Sequence, residues 1–515
     1  MKKNLLLNIL MLLCCYFLVL FHWGYQFGRS DQAEVLPYSL YLHDHSLYPK
    51  DNFIQDIKKE VPNERYVFSL VLSPFANHLE LVCFLLELIF SLILLAGMFQ
   101  FARLFIANDL LCWLAVLVLM LVKFNIALGD NTIWYNYFIP SVPAKAIAIW
   151  GLVYFVQDKW MRAFVLFSAS AFLQPLVGMQ LAIICISVLF AELFFDKKPL
   201  KFKHLFPRLF FELTAGVYIF LIFWNGFNSS VTKAERSEFF NIEIAYRGAH
   251  HYMPSHFPLI YYIWLVPLFL FALFYYKKIS RTLFLFFLID FILLLLYTAG
   301  VEWLHLTYIA ALQWFKTTLW LKYFSVVSLA ILVDRNIPFL KNAFLKNLTY
   351  VAIVVVSIVG IIGVIWFPQK NPWGAIYDFG QQKTNDPLVA CCIKAKELTP
   401  KDALFIQPLN SSEFKYYSQR SSYVDFKANE RAPKQVITWY SRLQEVYGLK
   451  AIPDYPEKQI LIDSKAFYLS LTPGQLKKLS SEGVQYMLTY DDYKTDLPIV
   501  YRNDKYKILD IRNSP

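Results

Sequence analysis

Charge is scarce in this chain. Only 17% of its 515 residues are Asp, Glu, Lys or Arg, while 57% are hydrophobic; an ordinary soluble domain carries about 25% charge. That balance excludes a soluble globular protein. The chain also lacks an internal repeat and a low-complexity tract. Its seven cysteines give no disulfide framework. Cys14, Cys15, Cys83, Cys112 and Cys185 fall inside apolar runs, where cysteine acts as a small apolar residue. Cys391 and Cys392 are adjacent, and a bond between neighbours would be strained. The opening MKKNLLLNILMLLCCYFLVL has no small-x-small cleavage site and no small residue before its cysteine pair. It reads as an uncleaved signal-anchor rather than a removable signal or a lipoprotein leader.

Long apolar runs are what the chain does have. A bilayer core of ~30 Å needs about 20 apolar residues per helix. Such runs lie at roughly 5–23, 79–103, 108–127, 143–157, 160–173, 175–195, 205–225, 257–276, 282–301, 308–333 and 348–367. They predict a polytopic α-helical membrane protein with about eleven transmembrane helices. The short 143–157 and 160–173 pair is expected to be tilted or broken.

Lysine and arginine set the orientation, because cytoplasmic loops carry them in excess. With the N-terminus inside, the inner segments are Lys2–Lys3, Arg103, Lys159–Arg162, DKKPLKFKH (196–204), KKISR (277–281) and DRNIPFLKNAFLKN (334–347). The alternate segments, 24–77, 226–256 and the tail, mix both signs. An odd span count places the tail outside. The net charge of +11 then reads as anchoring at the inner leaflet rather than nucleic-acid binding.

The chain divides near residue 368, giving a transmembrane domain at 1–367 and an extracytoplasmic α/β domain at 368–515. In the tail, DALFIQPL, AFYLSL, VQYMLTY, PIVYRN and YKILDI read as strands. APKQVITWYSRLQEVYG reads as a helix. TPGQLKKLSSEG opens on a Thr472 N-cap with Pro473 at the first helical position and stops at Gly483. Asn503–Asp504 marks a terminal hairpin.

Polar groups crowd onto the outer side. The first outer loop holds Asp31, Glu34, His43, Asp44, His45 and Asp51. A carboxylate partly shielded at a helix end suits proton abstraction, and could also help hold a divalent cation such as Mg or Mn. Of nine histidines, only His204 falls on the inner side. His22, His43, His45, His78, His250, His251, His256 and His305 map to the outer side or its interface. In YRGAHHYMPSHFP, Arg247, His250, His251 and His256 could bind a phosphate through charge-assisted hydrogen bonds. His250 and His251 could also ligate a metal, together with Asp31 and Asp130. Phosphate is favoured, because the i, i+4 histidine spacing of a helical metal site is absent. Asp130 and Glu302 end outer turns. Gln174 sits beside Pro175, where a broken helix would free backbone groups. Gln313 and Lys316 lie in the outer half of a span, where an ionisable group needs a cavity to face. Asp290 and Glu87 lie deeper and call for hydrogen-bonding partners. In the tail, Arg420, Lys427 and Arg431 form a candidate basic lip for anionic headgroups or a substrate phosphate.

A signal-anchor, an outer loop opening on SDQAE, a further outer acid in GDN, many spans and an α/β tail together resemble the GT-C superfamily of polytopic glycosyltransferases. The chain is also similar to a group of bacterial membrane proteins with DQ…P…YP.D after the first helix, an R..HH..P outer loop and an R…K…W..R tail. Here these are Asp31–Gln32 through Asp51, Arg247–His251, and Arg420 to Arg442. The GT-C resemblance implies transfer of a sugar from a polyprenyl-phosphate donor to an outer acceptor, in a bacterial cytoplasmic membrane and among its lipids. Asp31 would be the base, with Glu34 and Asp130 as secondary acids. Arg247, His250, His251 or Lys316 would meet the leaving phosphate. The paired acids of many members are absent, since Gln32 follows Asp31. A transporter or flippase of lipid-linked glycan is the alternative, against which the missing repeat and the surface position of the polar groups weigh. A non-enzymatic envelope assembly protein is a third.

Overall fold

The computed structural model describes residues 2–121, 126–195, 202–227, 231–336, 343–366, 375–380, 386–429, 432–450 and 457–512. Among these, seven helical segments are long and apolar enough to cross a membrane: Leu5–Trp23, Tyr66–Arg103, Pro175–Phe195, Leu205–Asn225, Leu259–Ile279, Arg281–Trp303 and Thr307–Asn336. Four shorter apolar helices cover Asp109–Leu121, Ser141–Val156, Trp160–Leu173 and Asn347–Ile362. Large apolar side chains such as Leu213, Phe274 and Leu295 stand exposed on these helices. Helices apolar all round belong in lipid, because water would oppose such a surface. The chain is a mainly helical, membrane-associated protein with a small C-terminal α/β region.

The chain forms two compact units. The first comprises residues 1–25, 84–220 and 248–377. Its helices approach closely where side chains are small, as membrane helices do. A Cβ on Gly178 would come within 2.3 Å of the Phe167 carbonyl oxygen, so only glycine lets the helix from Pro175 fold back along Trp160–Leu173. The Ser170 hydroxyl donates to the Ala144 carbonyl at 2.9 Å, tying in the helix Ser141–Val156. The deep acids do carry hydrogen bonds between helices. Glu87 accepts from Tyr16 at 3.0 Å and from Trp134 at 3.1 Å. Asp290 accepts from Trp314 at 2.9 Å and from Thr317 at 3.0 Å.

Among the described residues, breaks at Gln174 and Gln313 bear on this unit's candidate residues. Gln174 is extended (φ −144°, ψ 101°) and ends one helix before Pro175 starts the next, as the proline predicts. The second was not expected. The run read as a single span at 308–333 breaks at Gln313, whose φ is 43°. Buried Gln180 donates to the carbonyls of Leu312 and Gln313 at 2.7 and 3.1 Å, satisfying the backbone that the break releases.

The second unit comprises residues 26–83, 221–247 and 378–515. The expected division at 367/368 lies outside the described residues. Its five-stranded sheet runs in the order 421–422, 404–406, 486–490, 506–510, 499–502. The first three strands are parallel and the last two complete an antiparallel hairpin. Leu388, Cys391, Cys392, Phe405, Leu488 and Ile508 form its core. Helix Pro433–Tyr447 ends on Gly448 at φ 64°. Thr472 and Gln475 cap helix Pro473–Ser481 reciprocally. One expected strand is not a strand: AFYLSL closes the helix Glu457–Leu469. Its buried residues, Ser464 and Tyr468, repeat at i, i+4, and the Tyr468 hydroxyl donates to the Leu488 carbonyl at 2.7 Å. Periodicity over the whole helix outweighs the aromatic bias of six residues.

Residues 44–51 dock on this sheet. Asp51 caps helix Asn52–Ile57 by accepting from the Ile54 amide at 3.0 Å, and accepts the Ser422 amide at 3.1 Å. The Tyr48 hydroxyl donates to the Lys415 carbonyl at 2.8 Å.

Candidate functional site

The first unit gathers Asp130, His250 and His251. One ligand-capable atom from each lies within 4.8 Å of the others. Asp130 comes from the tip of a short hairpin that pairs 126–127 with 131–132. Gly129 (φ 78°) and Asp130 (φ 49°) are both left-handed. Glycine adopts this conformation freely and Asp tolerates it better than most residues. The Thr318 hydroxyl donates to the Leu128 carbonyl at 3.1 Å and Asn131 donates to the Lys316 carbonyl at 3.2 Å. The tip is thereby fastened to the chain just past the break at Gln313.

Beneath the tip lies a lysine that the sequence reading passed over. Lys145 is 1% exposed. Its Nζ donates to Asn131 Oδ1 at 2.9 Å and to the Thr132 carbonyl, and sits 4.5 Å from the centre of the Tyr135 ring. The Tyr135 hydroxyl donates to the same Asn131 oxygen at 3.0 Å. The signal was available: Lys145 is the one charged residue in the apolar run 141–156, and such a residue is costly unless it has work to do.

The histidines arrive on a single helical turn, Ala249–Tyr252, with ring centres 4.0 Å apart. That turn is held by the Tyr297 hydroxyl, which donates to the Tyr252 carbonyl at 3.0 Å. The following loop is held by Glu302, which accepts from the Ser255 amide at 2.7 Å and its hydroxyl at 3.1 Å. His250 Nε2 stands 4.0 Å from Asp130 Oδ2, and these side chains are 55% and 48% exposed. His251 Nδ1 lies 3.1 Å from the Gly129 carbonyl. The missing i, i+4 spacing counted against a metal. Here a carboxylate from a separate hairpin completes the group instead.

The other expected residues of this unit are placed differently. Lys316 is half-buried and its carbonyl, as above, receives Asn131. Gln313 lies at the break, with a buried side-chain oxygen that has no hydrogen-bond donor. Gln174 sits half-buried at the end of its helix.

Asp31, Glu34, Arg247 and Arg420 belong to the second unit. Asp31 is exposed and pairs with Lys427 at 3.4 Å. Glu34 is buried in an ion pair with Arg65, which also holds Glu64 at 2.7 Å. Arg247 pairs with buried Glu243 at 3.1 Å, donates to the Lys427 carbonyl at 3.0 Å and lies over the Trp439 ring. Burial pushes the Glu243 carboxyl above its usual range, opposed by the neighbouring Arg247 charge. Arg420 is buried rather than part of a lip. It donates to the carbonyls of Lys396, Thr399, Ser418 and Gln419 and to the Thr399 hydroxyl. Those bonds close the end of helix Pro387–Leu398, whose last carbonyls lack partners within the helix. Arg431 lies outside the described residues. Buried Lys415, unremarked in the sequence, stands 3.9 Å from Asp51 and 3.4 Å from Asp425. Burial pushes the Asp51 carboxyl up, and the Lys415 charge opposes that.

Residues 387–446 match the family described as Domain of unknown function (DUF6798). That stretch contains Arg420, Lys427, Trp439 and Arg442 of the tail pattern. No curated protein matches the chain.

Proposed function

We propose that this protein is a membrane glycosyltransferase that moves a sugar from a polyprenyl-phosphate carrier to an acceptor outside the cytoplasmic membrane of a bacterium. In this reading the chain crosses the bilayer about eleven times, with the N-terminus inside and the α/β tail outside. The observation that carries it is the gathering of Asp130, His250 and His251 on turns at the ends of apolar helices. A lipid-borne phosphate would arrive at such a place. The layout shared with the GT-C superfamily supports it by analogy.

The reaction is a single displacement. The acceptor oxygen bonds to the sugar's anomeric carbon as the bond from that carbon to the carrier phosphate oxygen breaks. The acceptor's proton passes to a carboxylate. Charge developing on the phosphate is met at the group formed by Asp130, His250 and His251.

One observation favours a second reading. Helices broken at Gln174 and Gln313 are a feature of transporters, so a flippase of lipid-linked glycan is the rival. The test uses purified full-length protein in vesicles with a radiolabelled polyprenyl-phosphate sugar and envelope acceptors. Transfer gives a labelled covalent product. Asp31→Asn abolishes it, and His250→Ala raises the KM for the donor more than it lowers kcat. Donor that crosses the bilayer with no covalent product would establish the flippase instead.

A further inference from the structure

We propose that Asp130, His250 and His251 bind a transition-metal ion of the zinc class, through two imidazoles and one carboxylate. The sugar-transfer role of that ion rests on the proposed function; its binding rests on the residues alone.

The chemistry of the donors selects the ion. Imidazole suits zinc, copper, iron and nickel, whereas magnesium and calcium favour sets made wholly of oxygen. Three protein ligands with a position left over is the arrangement of catalytic zinc sites. The exposed sides of Asp130 and His250 leave room for such a position, which a phosphate oxygen or water would take.

The orientation of His251 agrees. Its Nδ1 faces the Gly129 carbonyl at 3.1 Å, and a carbonyl can only accept. The proton on this side therefore sits on Nδ1, which makes Nε2 the ring nitrogen suited to ligate a metal. Metal-bound histidines usually make such a bond from their second nitrogen. The carbonyl comes from the residue next to Asp130, so one hairpin tip both supplies a ligand and orients another. Asn131, fastened by Lys145 and Tyr135, holds that tip from beneath.

The distances need little adjustment. Ligand atoms bound to one ion at ~2.0–2.2 Å stand roughly 3.4 Å apart in a tetrahedron. One ligand-capable atom from each residue lies within 4.8 Å of the others, a spread that rotation of the exposed side chains can close.

The test uses full-length protein purified without a polyhistidine tag, stripped with chelator and reloaded with Co2+ or Zn2+ alone. Cobalt shows its ligand field in visible absorption, and bound metal is measured directly by mass spectrometry. Wild type is expected to take up one equivalent of either ion, undisturbed by equimolar Mg2+. His250→Ala and His251→Ala lose at least about 10-fold in affinity, and Asp130→Asn weakens binding and shifts the cobalt spectrum. His45→Ala, in the other unit, is the control and keeps full uptake. Circular dichroism and gel filtration accompany each variant, and the wild-type result alone decides if a variant misfolds. A wild type that takes up no ion, or an H250A/H251A protein that keeps its full equivalent, overturns the proposal. Metal bound normally without any sugar transfer would leave this site standing and reject the transferase reading.

Discussion

The candidate functional residues of the two units differ in how their charges are held. In the second, Glu34 with Arg65, Lys415 with Asp51 and Asp425, and Glu243 with Arg247 are ion pairs whose members are mostly buried. Arg420 is closed off by carbonyls. In the first, buried Lys145 and Asn131 support a hairpin tip from which Asp130 reaches solvent beside His250. Burial and full pairing make a charge a structural element, since removing either partner leaves the other stranded in a poor solvent for ions. A ligand needs the reverse: groups that are reachable, set on a base that does not move. Motif membership alone cannot separate these cases. Arg247 and His250 share one short motif, yet belong to different units with different partners.

The comparison can be broken most forcefully at Arg65. Arg65→Ala leaves the buried Glu34 carboxylate without its guanidinium. A broken buried pair costs about 3–5 kcal/mol, a large part of what holds a domain together. Full-length protein in detergent should show a clearly lower midpoint of thermal unfolding, or fail to accumulate. Unfolding like wild type would mean that this pair is not structural, and Glu34 would return as a candidate acid.

Arg420→Lys is expected to have an intermediate effect. A lysine has three donors on one atom and cannot reproduce a planar fork reaching several carbonyls. The loss should be about 1–3 kcal/mol, the range for unmet buried hydrogen-bonding groups, read as a shift in the denaturant midpoint. The donor KM should stay unchanged. Normal stability with a raised donor KM would instead support a phosphate-binding role.

Much of the fold was legible because it follows from local chemistry. Apolar run length located the helices. Pro433 and Gly448 bound one tail helix, Thr472 and Gln475 cap another, and Asn503 marks the terminal hairpin. The break at Gln174 is announced by Pro175. The break at Gln313 has no proline or glycine beside it, and depends on Gln180, far away in sequence, to satisfy its carbonyls. Pairings of this kind escaped the sequence: Arg65 with Glu34, Asp51 with Ser422, Lys145 with Asn131. Each depends on which segments meet, which no local pattern encodes. The candidate site was legible as residue types, since Asp130, His250 and His251 were all singled out. What brings them together was not, because it depends on a left-handed hairpin tip and a single helical turn.

The smallest effect on stability is expected at Asp31, where the comparison can be sharpened. Asp31 and Lys427 are 53% and 41% exposed and 3.4 Å apart. Exposed pairs of this kind contribute about 0–1 kcal/mol, since water screens the charges and two side chains must be held in place. Asp31→Asn keeps the size and much of the hydrogen-bonding capacity, so its unfolding curve should overlay that of wild type within that range. Raising the salt concentration should narrow even this difference, because exposed pairs are screened over about 8–10 Å at moderate ionic strength. Sugar transfer should nevertheless be lost, as a base acts on the chemical step and has no counterpart in folding. Loss of both stability and transfer would place Asp31 with the structural charges of its unit. Retention of both would remove it as the proposed base.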